Sequence, residues 1–313
     1  MNTTELFARF AKLRVAVIGD LIIDITTTVE PLKNLDDGTP VYRRILDPRR
    51  QRGAEYSLGG AGLVVRNLLE LGATVEFITG YGYGEGALIV HQWKQKGLTL
   101  RVTQMPKQTT IKNRIWHDGK KLMQLDTVDN SEPSPYDADC VIMDWARALE
   151  NADVAIVADY RHGLITEKMA KEIVTRAADR DVPLYVASQV SQAQSNHHWY
   201  DAVDVCFVLN ETEAKCFKPV ESVCTLGANG ARYLQAADGT IGLAQGLRIY
   251  PVDVCGAGDA FLAAFALSEI PRRQEDLEFA NTWAALSCLL PGANPPPRHM
   301  AIEWYAKQAA LAA

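Results

Sequence analysis

Short apolar runs, mostly rich in β-branched residues, alternate along this chain with stretches of helical period. The runs fall at residues 14–18, 74–79, 154–158, 184–187, 205–209 and 223–226. A run such as Val154-Ala155-Ile156-Val157-Ala158 has no polar alternation, so it suits a strand covered on both faces. Between and after the runs, helices are expected at 61–71, 86–96, 137–149, 166–180, 211–217, 256–268, 277–290 and 301–312. Strand–helix alternation needs right-handed crossovers, and so predicts an α/β three-layer sandwich with a mostly parallel central sheet. At 313 residues and 48% hydrophobic content, the chain can bury one such body and a small appendage.

Two regions break the rhythm. Residues 25–57 carry Thr26-Thr27-Thr28-Val29 and Val41-Tyr42-Arg43-Arg44-Ile45, separated by the turn residues Asp36-Asp37-Gly38. Residues 100–127 carry two β-rich runs around Asp118-Gly119, a pair that favours a tight hairpin. Both regions are expected to form a small β lid inserted into the α/β body, with residues 1–313 making a single domain. Strand-rich lids leave edges that proteins pair or cover, so a homodimer through 25–57 and 100–127 is expected.

Composition excludes several classes. The formal net charge of -6 offers no nucleic-acid footprint. The basic run Arg43, Arg44, Arg49, Arg50 and Arg52 reads as a solvated loop. No apolar run is long enough for a membrane, and Met1-Asn2-Thr3-Thr4-Glu5 lacks a signal-peptide pattern. The six cysteines have no C-x-x-C spacing and read as free thiols of a cytoplasmic protein. Gly80-Tyr81-Gly82-Tyr83-Gly84-Glu85-Gly86 is not G-x-G-x-x-G and does not follow the first strand, which argues against a dinucleotide fold.

The sharpest chemical feature is Asp253-Val254-Cys255-Gly256-Ala257-Gly258-Asp259-Ala260-Phe261. Gly256 and Gly258 allow close backbone approach to a ligand just before a helix, whose first turn has unpaired N–H groups and a positive dipole end. A transferring phosphoryl group suits that place, and Asp259 there can take a proton from a hydroxyl. Spacing alone reads equally well as a glycine-containing loop with Asp259 steadying an early helical turn.

The segment resembles the D-T-x-G-A-G-D signature of the ribokinase (PfkB) family of carbohydrate kinases, with Val254 in place of the usual Thr. The resemblance implies a ribokinase-like fold, Asp259 as catalytic base and the Gly256-Ala257-Gly258 amides as an anion hole. Other segments follow in family order. Val17-Ile18-Gly19-Asp20 with Asp24 resembles the opening strand, where Asp24 would hold sugar hydroxyls. Gly59-Gly60 resembles the glycine pair of the sugar site. Asn210 and Glu213 match N-x-x-E, which implies magnesium and phosphate, with Glu213 reaching the metal through water. Thr225 and Gly227 resemble the nucleotide loop, and Asn281 falls on a helix that would face the adenine. The implied cofactors are ATP and Mg2+, with K+ near Asp253.

Within the family the likeness is to the heptose-7-phosphate kinase branch, carried by residues 19–24 with Thr39-Pro40-Val41, by Ile111-Lys112-Asn113-Arg114, and by Ala158-Asp159-Tyr160 before Gly163. Too few residues follow Asn294 for that branch's adenylyltransferase. The acceptor half departs from the pattern. Leu63 stands for a sugar-binding Asn, Arg161-His162 for Gly-Lys, and Ala187-Ser188-Gln189 for Asp-Pro-Lys. Lys112 and Arg114 share a strand face. With Arg161 and His162 they would give a cationic rim for a phosphorylated sugar. The expected function is ATP-dependent phosphorylation of a sugar or sugar phosphate. The alternatives are a nucleoside kinase, with Leu63, Tyr81 and Tyr83 against a flat base, and a non-catalytic sugar- or nucleotide-binding regulator.

Overall fold

The six apolar runs all enter one sheet. In the computed structural model, which describes residues 2–35, 37–44, 54–84, 87, 90, 92–190, 194–235, 240–268 and 274–312, they are β1 (Arg14–Gly19), β5 (Thr74–Tyr83), β9 (Val154–Asp159), β10 (Leu184–Ser188), β11 (Val205–Asn210) and β12 (Glu221–Thr225). β6 (Leu98–Gln108), β13 (Gly230–Gln235) and β14 (Thr240–Gln245) complete it. Among the described residues the sheet has nine strands, in the order β14-β13-β12-β11-β10-β9-β1-β5-β6. All its pairs from β6 to β12 are parallel, and β12, β13 and β14 pair antiparallel.

Both faces are covered because both faces are apolar. Along β1, Val15, Ala16, Val17 and Ile18 are all buried. Val15 and Val17 join the core built with α2 (Ala61–Leu71), while Ala16 and Ile18 join the one built with α3 (Pro135–Leu149) and α4 (Glu167–Ala178). The first core also takes in α1 (Thr3–Phe10), which sequence reading missed.

The lid is a second sheet with β3-β2-β7-β8 in that order and β4 also paired to β2. Its strands are β2 (Leu21–Asn34), β3 (Pro40–Arg44), β4 (Ala54–Gly60), β7 (Thr110–His117) and β8 (Lys120–Thr127). Asp118 and Gly119, at φ 45° and 71°, make the two-residue turn joining β7 to β8. The expected lid boundary at residue 100 is corrected. β6 runs parallel to β5 at the edge of the central sheet, and Leu98, Leu100 and Val102 pack on its core. Its polar–apolar alternation is that of an edge strand covered on one face.

Of the helix expected at 86–96, Ala87, Val90 and Gln92 are helical and 93–96 are not. The rest of it, and Asp36, Ile45, Arg49, Arg50 and Arg52, lie outside the described residues. No helix among the described residues is long and apolar enough to cross a membrane.

β1 lies between β5 and β9, so the strand order reverses there. In open α/β sheets a crevice forms at the carboxyl ends of such strands. Asp20 follows β1 directly, and Asp159 closes β9.

Candidate active site

Asp259 sits in the first turn of α6 (Ala257–Ala266), an apolar helix buried from Ala260 to Ala266. No side chain caps α6, and Gly256 enters it at φ 84°. A Cβ on Gly256 would lie 2.6 Å from Leu63 Cδ2, whereas one on Gly258 would meet nothing within 4 Å. The helix start is therefore pinned against α2 on one side and open at Gly258. Its first-turn N–H groups and positive dipole end favour an anion.

A cavity of about 120 Å³ adjoins this turn. Gly258, Asp259, Asn210, Glu213 and Thr225 line it together, although they come from three separate stretches of sequence. Asn210 ends β11 and caps α5 (Glu211–Cys216) in a reciprocal box: its Oδ1 accepts the N–H groups of Thr212 and Glu213, and Glu213 Oε2 accepts the Asn210 N–H at 2.8 Å. Burial raises the Glu213 carboxyl above its ordinary value. Gly227 and Asn281 do not line the cavity; Gly227 opens a short turn at φ 56°, and Asn281 donates to the Gln245 carbonyl at 2.8 Å.

Burial pushes the Asp259 carboxyl up to about 7. The Tyr160 hydroxyl, which donates to Asp259 Oδ1, and the Lys112 charge oppose this; the Asp24 charge adds to it. Tyr160, Asp159, Ser188 and Gln189 also line the cavity and were not singled out as site residues from sequence. The signal available was position: each lies at or just past the carboxyl end of β9 or β10.

Two buried carboxylates brace the loop after β9. Asp20 accepts the N–H groups of Tyr160, His162 and Leu164 at 2.9, 3.2 and 3.0 Å. Asp159 accepts from the Arg161 N–H, Asn196, Tyr200 and Ser188. Burial, then the charge of Asp159, push the Asp20 carboxyl up to about 7.

The family model of pfkB carbohydrate kinases matches residues 12–300. The chain belongs to this family. As a pfkB carbohydrate kinase it is similar to the bifunctional protein HldE of Geobacter sulfurreducens, 28% identical over 295 residues that cover 85% of this chain and 57% of the relative. It thus spans little more than half the length of that curated relative. In fold it is similar to phosphofructokinase-2 from Escherichia coli in complex with potassium, with a TM-score of 0.74 at 14% identity over 95% of this chain and 99% of that one. Arabidopsis thaliana ribokinase complexed with ribose and ATP gives a TM-score of 0.64 at 18% identity, over 93% and 98%. The ribokinase-like fold follows from these structures, and the carbohydrate-kinase family from the match over residues 12–300.

The pfkB kinase's acceptor side differs from the sequence expectation. Arg114 is buried and ion-paired to Asp24, with Nη1 2.5 Å from Oδ1, and its Nη2 lies 3.5 Å from Cys255 Sγ. Arg161 stacks on Trp199, and His162, held at 3.2 Å from Asn130 Oδ1, is pushed down to about 4 by burial. Of the four expected rim residues, Arg114, Arg161 and His162 thus each have a partner within the fold, and Lys112 has no ion pair among the described residues. A Cβ on Gly59 would fall 2.2 Å from Asp24 Oδ2, so the missing side chain at Gly59 makes room for the Asp24 carboxylate. Of the three residues of the flat-base reading, Leu63 and Tyr81 are buried and Tyr83 is exposed.

Proposed function

We propose that this pfkB kinase transfers the γ-phosphoryl group of ATP to a hydroxyl of a phosphorylated sugar, with Asp259 as general base. The observation that carries it is the placement of Asp259: one carboxyl, titrating near neutrality, between an open helix start and the cavity of Asn210, Glu213 and Thr225. A base poised near the working pH is the efficient one. The acceptor O–H gives its proton to Asp259 as its oxygen bonds to the γ-phosphorus. The bond from that phosphorus to the bridging oxygen breaks, and ADP leaves with the electron pair. The Gly256-Ala257-Gly258 backbone meets the charge that builds on the phosphoryl oxygens.

The charged side chains lining the cavity, among the described residues, are the carboxylates Asp159, Glu213 and Asp259. Among the described residues no three carboxylate, histidine or cysteine side chains converge on a metal position, so Mg2+ would be brought in with the nucleotide, where its contribution is to neutralise phosphate charge. Glu213 would hold it through water, since Oε2 is engaged by the Asn210 N–H. Asp253 Oδ2 is buried without a hydrogen-bond partner, which supports K+ as a further ligand there. Thr225, Gly227 and Asn281 would follow the nucleotide.

For the acceptor, Asp24 and Arg114 form one hydrogen-bonding unit above Gly59. Lys112 stands opposite Asp24 in register, and its charge is felt at both Asp259 and His162. Lys112 would take the substrate phosphate, and the likeness to HldE supports a heptose phosphate. The test compares kcat/KM for ribose, fructose 6-phosphate and a heptose 7-phosphate in wild type and Lys112→Ala. A preference for phosphorylated acceptors that shrinks roughly 10-fold or more in the variant is expected for the loss of one charge-assisted contact. Equal use of the free sugar returns Lys112 to a solvated role. On this reading the body and lid act as one catalytic unit, and the exposed Leu122, Met123 and Leu125 of edge strand β8 favour a dimer through the lid.

A further inference from the structure

The phenol of Tyr160 has no part in the transfer as written, yet it is directed at the base. The loop that carries it is fixed before the side chain begins. Buried Asp20 holds the N–H groups of Tyr160, His162 and Leu164, and Asp159 Oδ1 holds that of Arg161 at 2.8 Å. Arg161 keeps φ at 62° within this loop, an arrangement a side-chain-bearing residue holds only when its surroundings enforce it. From that anchored backbone the Tyr160 hydroxyl donates to Asp259 Oδ1. A carboxylate has two oxygens, and this contact leaves Oδ2 for the acceptor.

We propose that Tyr160 is the positioning residue of the base, fixing the Asp259 carboxylate so that Oδ2 meets the acceptor hydroxyl. This rests on the reading of Asp259 as base. The direction of its effect on titration follows from the groups around that carboxyl: Asp24 on β2, Lys112 on β7, Cys255 before α6, and Tyr160. Burial and Asp24 favour the neutral carboxyl, whereas Tyr160 and Lys112 favour the charged one. A donated hydrogen bond is stronger to the carboxylate than to the acid. Loss of the phenol O–H therefore leaves Lys112 to act alone against burial.

The experiment titrates the Asp259 carboxyl by NMR in protein labelled with carbon-13 at aspartate side-chain carboxyls, the resonance being identified by its loss in Asp259→Asn. In Tyr160→Phe, which keeps the ring, the midpoint is expected to rise by about half a pH unit or more. Turnover with fructose 6-phosphate or a heptose 7-phosphate is expected to fall roughly 10-fold, with KM for ATP unchanged. Phenylalanine changes packing slightly, so 3-fluorotyrosine at position 160 is the second variant. As a stronger acid it should move the midpoint the other way, a sign reversal that a merely structural role would not give. Unmoved midpoints in both variants overturn the proposal, whether or not either sugar is turned over. Loss of turnover in Asp259→Asn beside wild-type behaviour in Tyr160→Phe sinks the Tyr160 role alone. Full turnover in Asp259→Asn sinks the base, and the positioning role with it.

Discussion

Protonation of Asp259 has opposite consequences for rate and for stability. In its proposed role as base Asp259 works only when ionised, so with its carboxyl near 7 kcat/KM should fall about 10-fold per pH unit below that value. Stability runs the other way. A carboxyl raised in the folded state stabilises most below its unfolded value of 3.8, and that contribution is lost as pH rises through about 7. Asp259→Asn should therefore lose roughly 10²–10⁴-fold in kcat while melting higher than wild type at pH 8, a gain that shrinks at pH 5. Thermal unfolding at the two pH values, beside turnover, checks both signs. Asp259 was legible in sequence because its signals are local: two glycines, a helix start and an acid within one turn. The Asp24–Arg114 pair was not, because the partners are 90 residues apart and meet only through the β2–β7 register.

At the scale of elements, β7 carries two cations of different kinds. Arg114 and Asp24 have side chains only 7% and 8% exposed, and removing one partner of a buried pair strands the other charge. Arg114→Ala should cost about 3–5 kcal/mol in denaturant unfolding. Lys112→Ala, with no ion pair to lose among the described residues, should leave stability within about 0.5 kcal/mol and act on the acceptor alone. Equal destabilisation by both would mean that Lys112 is structural. α5 shows a local element doing two jobs. The three-residue spacing of Asn210 and Glu213 that matches N-x-x-E is also the spacing of the capping box they form. Asn210→Ala should cost about 1 kcal/mol, and Glu213→Gln should raise the magnesium requirement more than the acceptor KM. β6 was misassigned because alternation on a half-covered edge strand looks the same in either sheet, and only its pairing to β5 decides.

For the whole molecule, the parallel sheet could be read because both-face burial leaves unbroken apolar runs. The antiparallel β13 and β14 could not, because Gly230 reads as a turn and sits at φ 97° where β13 begins. Sedimentation at micromolar concentration should give a dimer, and Leu125→Asp on exposed β8 should shift it toward monomer. Activity should rise on replacing sodium with potassium if the orphaned Asp253 oxygen meets a monovalent cation. The proposed contacts also divide along the chain. The acceptor contacts, Asp24, Gly59, Lys112 and Arg114, all precede the exposed connection at 128–134. Asp159, Asn210, Glu213, Thr225 and Asp259 all follow it. On the proposed roles, recognition of the sugar and handling of the donor thus fall in separate stretches of the chain. A single recombination junction in that connection could exchange one specificity while leaving the phosphoryl-transfer chemistry in place.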